Sequence, residues 1–274
     1  MVTLLDSLMG QLERRPSVLA VSLFGSRARA AADGESDVDL QIITSDPRSF
    51  RTPAWLQEVP YSLVAYALRP AFGGVVKATL VFDGVGEADV VVLPAGRLRV
   101  ARVLVRLGLH RRSAAVRRGL GDLAIVLRPG FQVLKGARDW EPFLRRVVRE
   151  VPDPRLDDAA VQQKADCVWA DFISLQRKLR RGELVAAQRW LHVHLVQANL
   201  DLLHELRLRR GGVSFHDGRR AEQVLTEAEL EHVRCSARLD AQELDTAARR
   251  QVAATHRLAT ELTGRALTWA PPVP

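Results

Sequence analysis

Little cysteine, little lysine and few aromatic residues mark this chain of 274 residues. Its two cysteines, Cys167 and Cys235, stand at no metal-ligand spacing, and two thiols make no disulfide framework. A zinc module and a disulfide-stapled scaffold are thereby excluded, and buried free thiols are expected. No apolar run reaches the ~18 residues of a membrane span. The N-terminus lacks the basic segment, apolar stretch and small-residue cleavage site of a secretory signal, so a cytoplasmic location is expected. There is no Walker-type loop, no Gly-x-Gly-x-x-Gly and no His-Glu-x-x-His. P-loop, dinucleotide-fingerprint and zincin chemistries have no motif to stand on.

What is present is a core and an excess of positive charge. Apolar residues make up 47% of the chain and the formal net charge is +8. Lysine occurs only at Lys77, Lys135, Lys164 and Lys178, so nearly all of the basic excess is arginine. A positive protein favours anionic partners such as nucleoside triphosphates or nucleic acid. The arginines fall in dispersed helical runs, at 117–118, 145–146 and 177–181, which read as solvated faces. Aromatic residues, 5% of the chain, are rarely interleaved with them. That counts against single-strand stacking and against nucleic acid as a partner.

Leu4, Leu5, Leu8 and Leu12 recur at helical spacing and predict a helix over 1–15, closed by Pro16. Residues 18–24 predict a buried strand, Gly25-Ser26 a turn, Asp33-Gly34 another turn, and 37–44 a second strand alternating acidic and apolar residues. Residues 47–53 read as a loop, and 55–68 are ambiguous: the first part is open to a short helix and 63–68 to a strand. The runs 75–82 and 88–93 are rich in β-formers and joined by Asp83-Gly84-Val85-Gly86-Glu87, as in a hairpin. A helical or mixed segment is expected over 98–118. A last short strand pair is expected at 123–127 and 132–134, around Arg128-Pro129-Gly130. After Pro154 the composition changes. Residues 156–262 contain no proline and are rich in Ala, Leu, Glu, Gln and Arg. Leu184, Ala187, Leu191, Leu195, Ala198, Leu202 and Leu206 form one apolar stripe of a long helix, which Gly211-Gly212 would end. Two more helices are expected at 219–232 and 240–262, with a frayed tail at 271–274. The fold class is α+β: a mixed α/β domain over 1–153, then an all-α helical bundle over 154–274.

The chemistry concentrates in Leu23-Phe24-Gly25-Ser26-Arg27-Ala28-Arg29 and Ser36-Asp37-Val38-Asp39-Leu40. Strand residues two apart share a face, so Asp37 and Asp39 project side by side. Neighbouring carboxylates repel unless a cation lies between them, and hard oxygen donors suit Mg²⁺. Gly25 permits a tight turn and close approach of a phosphate, backbone amides at such a turn can form an anion nest, and the Ser26 hydroxyl can donate to a phosphate oxygen. Together these point to phosphoryl or nucleotidyl transfer.

Phe24-Gly25-Ser26 with Asp37-Val38-Asp39 resembles the signature of the polymerase-β-like nucleotidyltransferase superfamily. The resemblance implies a small mixed sheet, two Mg²⁺ ions, a nucleoside triphosphate donor and a third carboxylate on a later strand. Glu87-Ala88-Asp89-Val90-Val91-Val92-Leu93 supplies that acid. Asp89, opening a strong strand after a hairpin, is the choice, and Glu87 on the same face is the rival. The order of these motifs, ending in a helical domain, is similar to the lincosamide and aminoglycoside nucleotidyltransferases of antibiotic resistance. So are Lys178-Leu179-Arg180-Arg181-Gly182-Glu183-Leu184 and Ser236-Ala237-Arg238-Leu239-Asp240. This likeness implies transfer of AMP from ATP to a hydroxyl of a small antibiotic-like acceptor. Asp37 and Asp39 would hold both metals, and Asp89 would hold one of them, accept the hydroxyl proton, or both. Gly25, Ser26 and Arg27 would hold the β- and γ-phosphates, and the helical domain would close over the acceptor.

Some relatives carry an acid where this chain has Lys135-Gly136, so Lys135 is read as a surface residue or a triphosphate contact. A polycationic acceptor would need local acids, and Asp166, Asp171, Glu183 and Asp201 are available, each otherwise a solvated helix-face residue. His192 and His194 diverge on a helix and form no metal pair. Arg189 and His194 match an Arg-x4-His spacing of helical RNA-cleaving toxins only loosely. Trp169 and Trp190 are expected in the helical core or lining a substrate pocket. The rival functions are an antitoxin-like or protein-modifying nucleotidyltransferase acting on a protein partner, and a nucleic-acid-binding protein. A homodimer is compatible with any of these.

Overall fold

A six-stranded mixed sheet organises the first half of the chain in a computed structural model that describes residues 3–29, 36–71, 74–212, 214 and 216–271. The chain separates into two compact units, Met1–Pro154 and Arg155–Pro274.

The first unit opens with helix α1 (Leu4–Glu13), started by a reciprocal cap in which the Thr3 hydroxyl accepts from the Asp6 amide and the Asp6 carboxylate accepts from the Thr3 amide. Strand β1 (Val18–Phe24), the single-turn helix α2 (Gly25–Ala28) and strand β2 (Val38–Thr44) follow. The Asp33-Gly34 turn expected between them lies outside the described residues. The expected loop at 47–53 is instead wound into two 3₁₀ turns, Pro47–Arg51 and Pro53–Leu56. Each has proline in its first turn, where the missing N–H leaves no bond unmade. Strands β3 (Leu63–Pro70), β4 (Val76–Phe82) and β5 (Gly86–Pro94) come next. Helices α3 (Ala95–Arg106), α4 (Leu109–Arg112) and α5 (Ala114–Leu127), strand β6 (Gln132–Lys135) and helix α6 (Ala137–Glu150) complete the unit.

The strand order is β3-β4-β5-β2-β1-β6, antiparallel throughout except that β2 runs parallel to β5. One face packs Leu40, Ile42, Val90 and Leu80 against Leu8 and Leu12 of α1 and Phe50 and Trp55 of the 3₁₀ turns. The other packs Ile43, Val91 and Leu93 against Leu98, Leu123, Leu127 and Phe143 of α3, α5 and α6. Burying each such side chain contributes roughly 1.5–3 kcal/mol before the entropy of ordering it.

Residues 123–127, expected as a strand, form the last turns of α5. Leu120, Leu123, Ala124 and Leu127 are all buried, at offsets of three, four and seven that only a helix gathers on one side. The short run Leu-Ala-Ile-Val-Leu carries no period of its own, so tertiary packing decided. β6 therefore pairs with β1 alone.

The second unit is helical. Helix α7 (Asp158–Arg180) starts at the Asp157 cap, whose side chain accepts from the Ala160 amide. Helix α8 (Leu184–Trp190), a π-helical turn (Leu191–Val196) and helix α9 (Gln197–Arg209) carry the stripe read from the sequence. Steps of four residues drift by about 40° per step on an α-helix. The wider π turn takes up that drift, so Ala187, Leu191, Leu195, Ala198, Leu202 and Leu206 all stay buried. The helix expected at 219–232 is two single turns, α10 (Ala221–Val224) and α11 (Glu227–Leu230), parted where Leu225 is extended and Thr226 with Glu229 begins a fresh capping box. Helix α12 (Ala241–Thr263) closes the unit, tied to α9 by a buried polar set in which Asn199 Nδ2 donates to Gln251 Oε1 at 2.7 Å and Thr255 Oγ1 donates to Asn199 Oδ1 at 2.7 Å. The expectation of two buried thiols fails for Cys167, which is exposed on α7, while Cys235 is half-buried and burial raises its thiol pKa. The tail expected to fray, 271–274, lies outside the described residues apart from residue 271.

Candidate active site

The parallel pairing of β2 with β5 sets Asp39 directly beside Asp89. Both residues point to the face on which Ile43, Val91 and Leu93 are buried further along the same strands. The acids thus stand at the end of that core, where the strands begin, and are half-buried. Asp37, the residue before β2, joins them. One carboxylate oxygen from each of Asp37, Asp39 and Asp89 lies within 4.8 Å of the others. Among the described residues no other trio of potential metal ligands is gathered in this way. Glu87, the rival acid, is exposed at the hairpin and stands outside the group.

β1 lies on the other side of β2, with Phe24 opposite Asp39. The chain then turns at Gly25 with φ +75°, a left-handed backbone that side chains disfavour. The turn brings the Gly25 backbone against the Asp39 carboxylate, and Ser26 occupies the turn itself. Arg27, read from the sequence as a phosphate contact, donates from Nε to the Asp37 carbonyl at 3.0 Å and from Nη2 to the Ser36 carbonyl at 2.7 Å. Its charge sits at this end of the sheet, and its fork holds the entry to β2. A cleft of about 330 Å³ opens beside it, lined by Thr3, Leu4, Leu5, Arg27, Val38 and Tyr61 among others.

Two residues of β4 complete the environment of Asp89. Thr79, its register partner, donates from Oγ1 to Asp89 Oδ1 at 2.7 Å, and Lys77 donates from Nζ to Asp89 Oδ2 at 2.6 Å. Neither stood out in the sequence. The hairpin is tighter than the five-residue connection Asp83–Glu87 read from the sequence: Phe82 pairs with Gly86, and that register puts Thr79 opposite the acid. Gln41, two residues beyond Asp39 on the same face, is 1% exposed, and neither of its amide atoms has a hydrogen-bond partner among the described residues.

Three carboxylates on adjacent strands are a hard oxygen donor set, the kind that suits Mg²⁺ and leaves positions for phosphate oxygens and water. A Cβ-free backbone against one of them lets a phosphate-bearing ligand come close. The donor set therefore fits a divalent metal, which Asp37, Asp39 and Asp89 would hold.

Other residues marked in the sequence have structural partners. Lys135 is half-buried rather than a surface residue, and its ammonium is engaged within the fold. Its Nζ donates to the carbonyls of Leu12, Glu13 and Arg15 at 2.9, 3.0 and 3.0 Å, capping the end of α1, and burial lowers its pKa. The helical acids are also engaged rather than only solvated. Asp166 accepts from Gln162 and from Trp269 Nε1, Asp201 accepts from Lys164, Asp171 lies 3.5 Å from His194, and Glu183 lies 3.9 Å from Arg181. Trp169 stacks on Phe172 and Trp269, and Trp190 stacks on His194 with Lys178 over its ring. No described helix is long and apolar enough to cross a membrane.

Residues 7–59 match the family model described as polymerase beta, nucleotidyltransferase. The match takes in Gly25, Ser26, Asp37 and Asp39 and ends before Asp89. No curated protein matches the sequence. Among solved structures, an aminoglycoside 6-adenyltransferase from Bacillus subtilis is similar, with 13% identity over 95% of this chain and 87% of that one at a TM-score of 0.36. A nucleotidyltransferase-like protein from Exiguobacterium sibiricum is similar, with 11% identity over 92% of this chain and 72% of that one, also at 0.36.

Proposed function

We propose that this chain, a nucleotidyltransferase carrying the polymerase-β family segment at residues 7–59, moves AMP from ATP onto a hydroxyl of a small antibiotic-like acceptor such as a lincosamide or an aminoglycoside. The observation that carries the reading is the meeting of Asp37, Asp39 and Asp89 beside the Gly25-Ser26 turn.

In this reading Asp37, Asp39 and Asp89 hold two Mg²⁺ ions. When bound, the metals neutralise charge on the α-phosphate and on the departing pyrophosphate. Gly25, Ser26 and Arg27 hold the β- and γ-phosphates. Asp89 orients the acceptor hydroxyl and takes its proton as the oxygen bonds to the α-phosphorus and the α–β phosphoanhydride bond breaks. Thr79 fixes the carboxylate that does this. Residues 1–153 supply the transfer chemistry and residues 154–274 take up the acceptor. ATP as donor fits a cytoplasmic enzyme.

The test is to incubate the protein with ATP, Mg²⁺ and a panel of hydroxylated antibiotics, reading pyrophosphate release and an acceptor gain of one AMP by mass spectrometry. Adducts made by the wild type and not by Asp37→Asn support the reading. Equal product from both proteins, or none from any acceptor with any nucleoside triphosphate, ends it.

A further inference from the structure

Lys77 is one of four lysines in a chain that otherwise meets its need for positive charge with arginine. Its ammonium lies 2.6 Å from Asp89 Oδ2, on the side of the acid away from Gly25. Thr79 holds the second oxygen of the same carboxylate. Both side chains come from β4, on the face that carries the three acids. The Lys77 side chain is 30% exposed and that of Asp89 18% exposed, so the pair is partly screened from water and open on one side.

The residue type matters here. A guanidinium is a planar fork that would take both carboxylate oxygens at once. An ammonium is a compact point charge on a flexible stem. It engages one oxygen, leaves the other to Thr79, and can swing away without unmaking a bidentate pair. Three carboxylates brought this close repel one another, and a positive charge beside them relieves that repulsion. A divalent ion held by the same acids would in turn repel the ammonium.

We propose that Lys77 is a built-in counter-ion for the carboxylate trio, which leaves Asp89 when a divalent cation binds there. The inference rests on the metal-binding reading of Asp37, Asp39 and Asp89. Lys77 is thus a positioning residue: it offsets the repulsion within the trio while no metal is bound, competes with the metal for Asp89, and so sets how tightly the metal is held before nucleotide arrives.

Two measurements test this. In the wild type, acetylation of lysines by acetic anhydride is followed residue by residue by mass spectrometry, with and without Mg²⁺. Labelling of Lys77 should rise several-fold on adding Mg²⁺, while Lys164 and Lys178 serve as references and stay unchanged. Binding of Mn²⁺ without nucleotide is then read by electron paramagnetic resonance in the wild type, Lys77→Met and Asp37→Asn. Lys77→Met should bind about tenfold more tightly, since a like charge beside the ion has gone. Lys77 labelling that ignores Mg²⁺, or a Lys77→Met protein that binds Mn²⁺ no more tightly, overturns the counter-ion role while leaving the metal site standing. Should Asp37→Asn bind Mn²⁺ as well as the wild type, the metal reading fails and this inference falls with it. The labelling arm uses the unmodified protein, so a Lys77→Met chain that does not fold leaves the decision intact.

Discussion

A methyl group placed on Gly25 would sit 1.9 Å from Oδ2 of Asp39, closer than any two such atoms can approach. The turn that follows β1 and the acid on β2 are therefore packed backbone to carboxylate, and with φ at +75° the position is closed to side chains twice over. Gly25→Ala should displace Asp39 and lower turnover at least ~100-fold, as expected when a reacting group is moved by about 1 Å. Stability should fall by about 1 kcal/mol or more. Steady-state kinetics alongside thermal melts check this, and near-normal turnover would show that the contact is dispensable.

Asp37→Asn and Asp39→Asn should each lower transfer by several orders of magnitude while the fold persists. Each substitution removes a charged oxygen donor from the proposed metal site, and an amide is a poor replacement. Kinetics on samples whose circular dichroism matches the wild type would measure it. A folded Asn variant turning over normally is incompatible with the two-metal reading.

Asp89 and Glu87 make opposite forecasts. Asp89→Asn should lower the turnover number by about 10² to 10⁴ with a smaller change in ATP affinity, the usual range for a general base. Glu87→Gln, altering an exposed acid at the hairpin, should have a mild effect. Paired kinetics rank the two, and the reverse order would mean that the wrong acid has been chosen.

Lys135 tests structure apart from chemistry. Its ammonium satisfies three carbonyls at and just beyond the end of α1. Lys135→Met leaves those groups short of a donor and should destabilise the first unit by about 1–3 kcal/mol. ATP affinity measured by calorimetry should be unchanged. Weakened nucleotide binding in a protein of wild-type stability would return Lys135 to the phosphates.

Glu150 sets an acid limit. Hydrogen bonds from Arg149, Arg146, Arg111 and His110 hold its carboxyl at about 2, against burial, which acts the other way, and well below its ordinary 4.5. A depressed pKa in the folded state contributes stability that is fully present above the ordinary value and is lost as pH falls toward the lowered one. The wild type should therefore lose stability between pH 4.5 and about 2, and Glu150→Gln should flatten that part of the curve. Urea titrations at stepped pH measure it, and parallel curves for the two proteins would refute the assignment.

Sequence alone determined the α+β class, because the long helices repeat their apolar residues every three or four positions while the strands read as short β-rich runs between turn residues. It also exposed the Gly-Ser turn and the Asp37, Asp39 pair, since a two-residue spacing on a strand states which side chains share a face. Tertiary structure decided what local spacing does not contain. The short apolar run at 123–127 has no period of its own, and as the end of α5 it buries Leu123, Ala124 and Leu127 together with Leu120. Lys135 took three carbonyls over one hundred residues away. Asp89 stands next to Asp39 because β2 and β5 run parallel across an intervening hairpin, a pairing that no window of sequence encodes. Lys77 and Thr79 reached the acid through that same register. The reason is physical: a residue's face follows from its immediate neighbours in the chain, whereas its partners follow from which strands the whole core brings side by side.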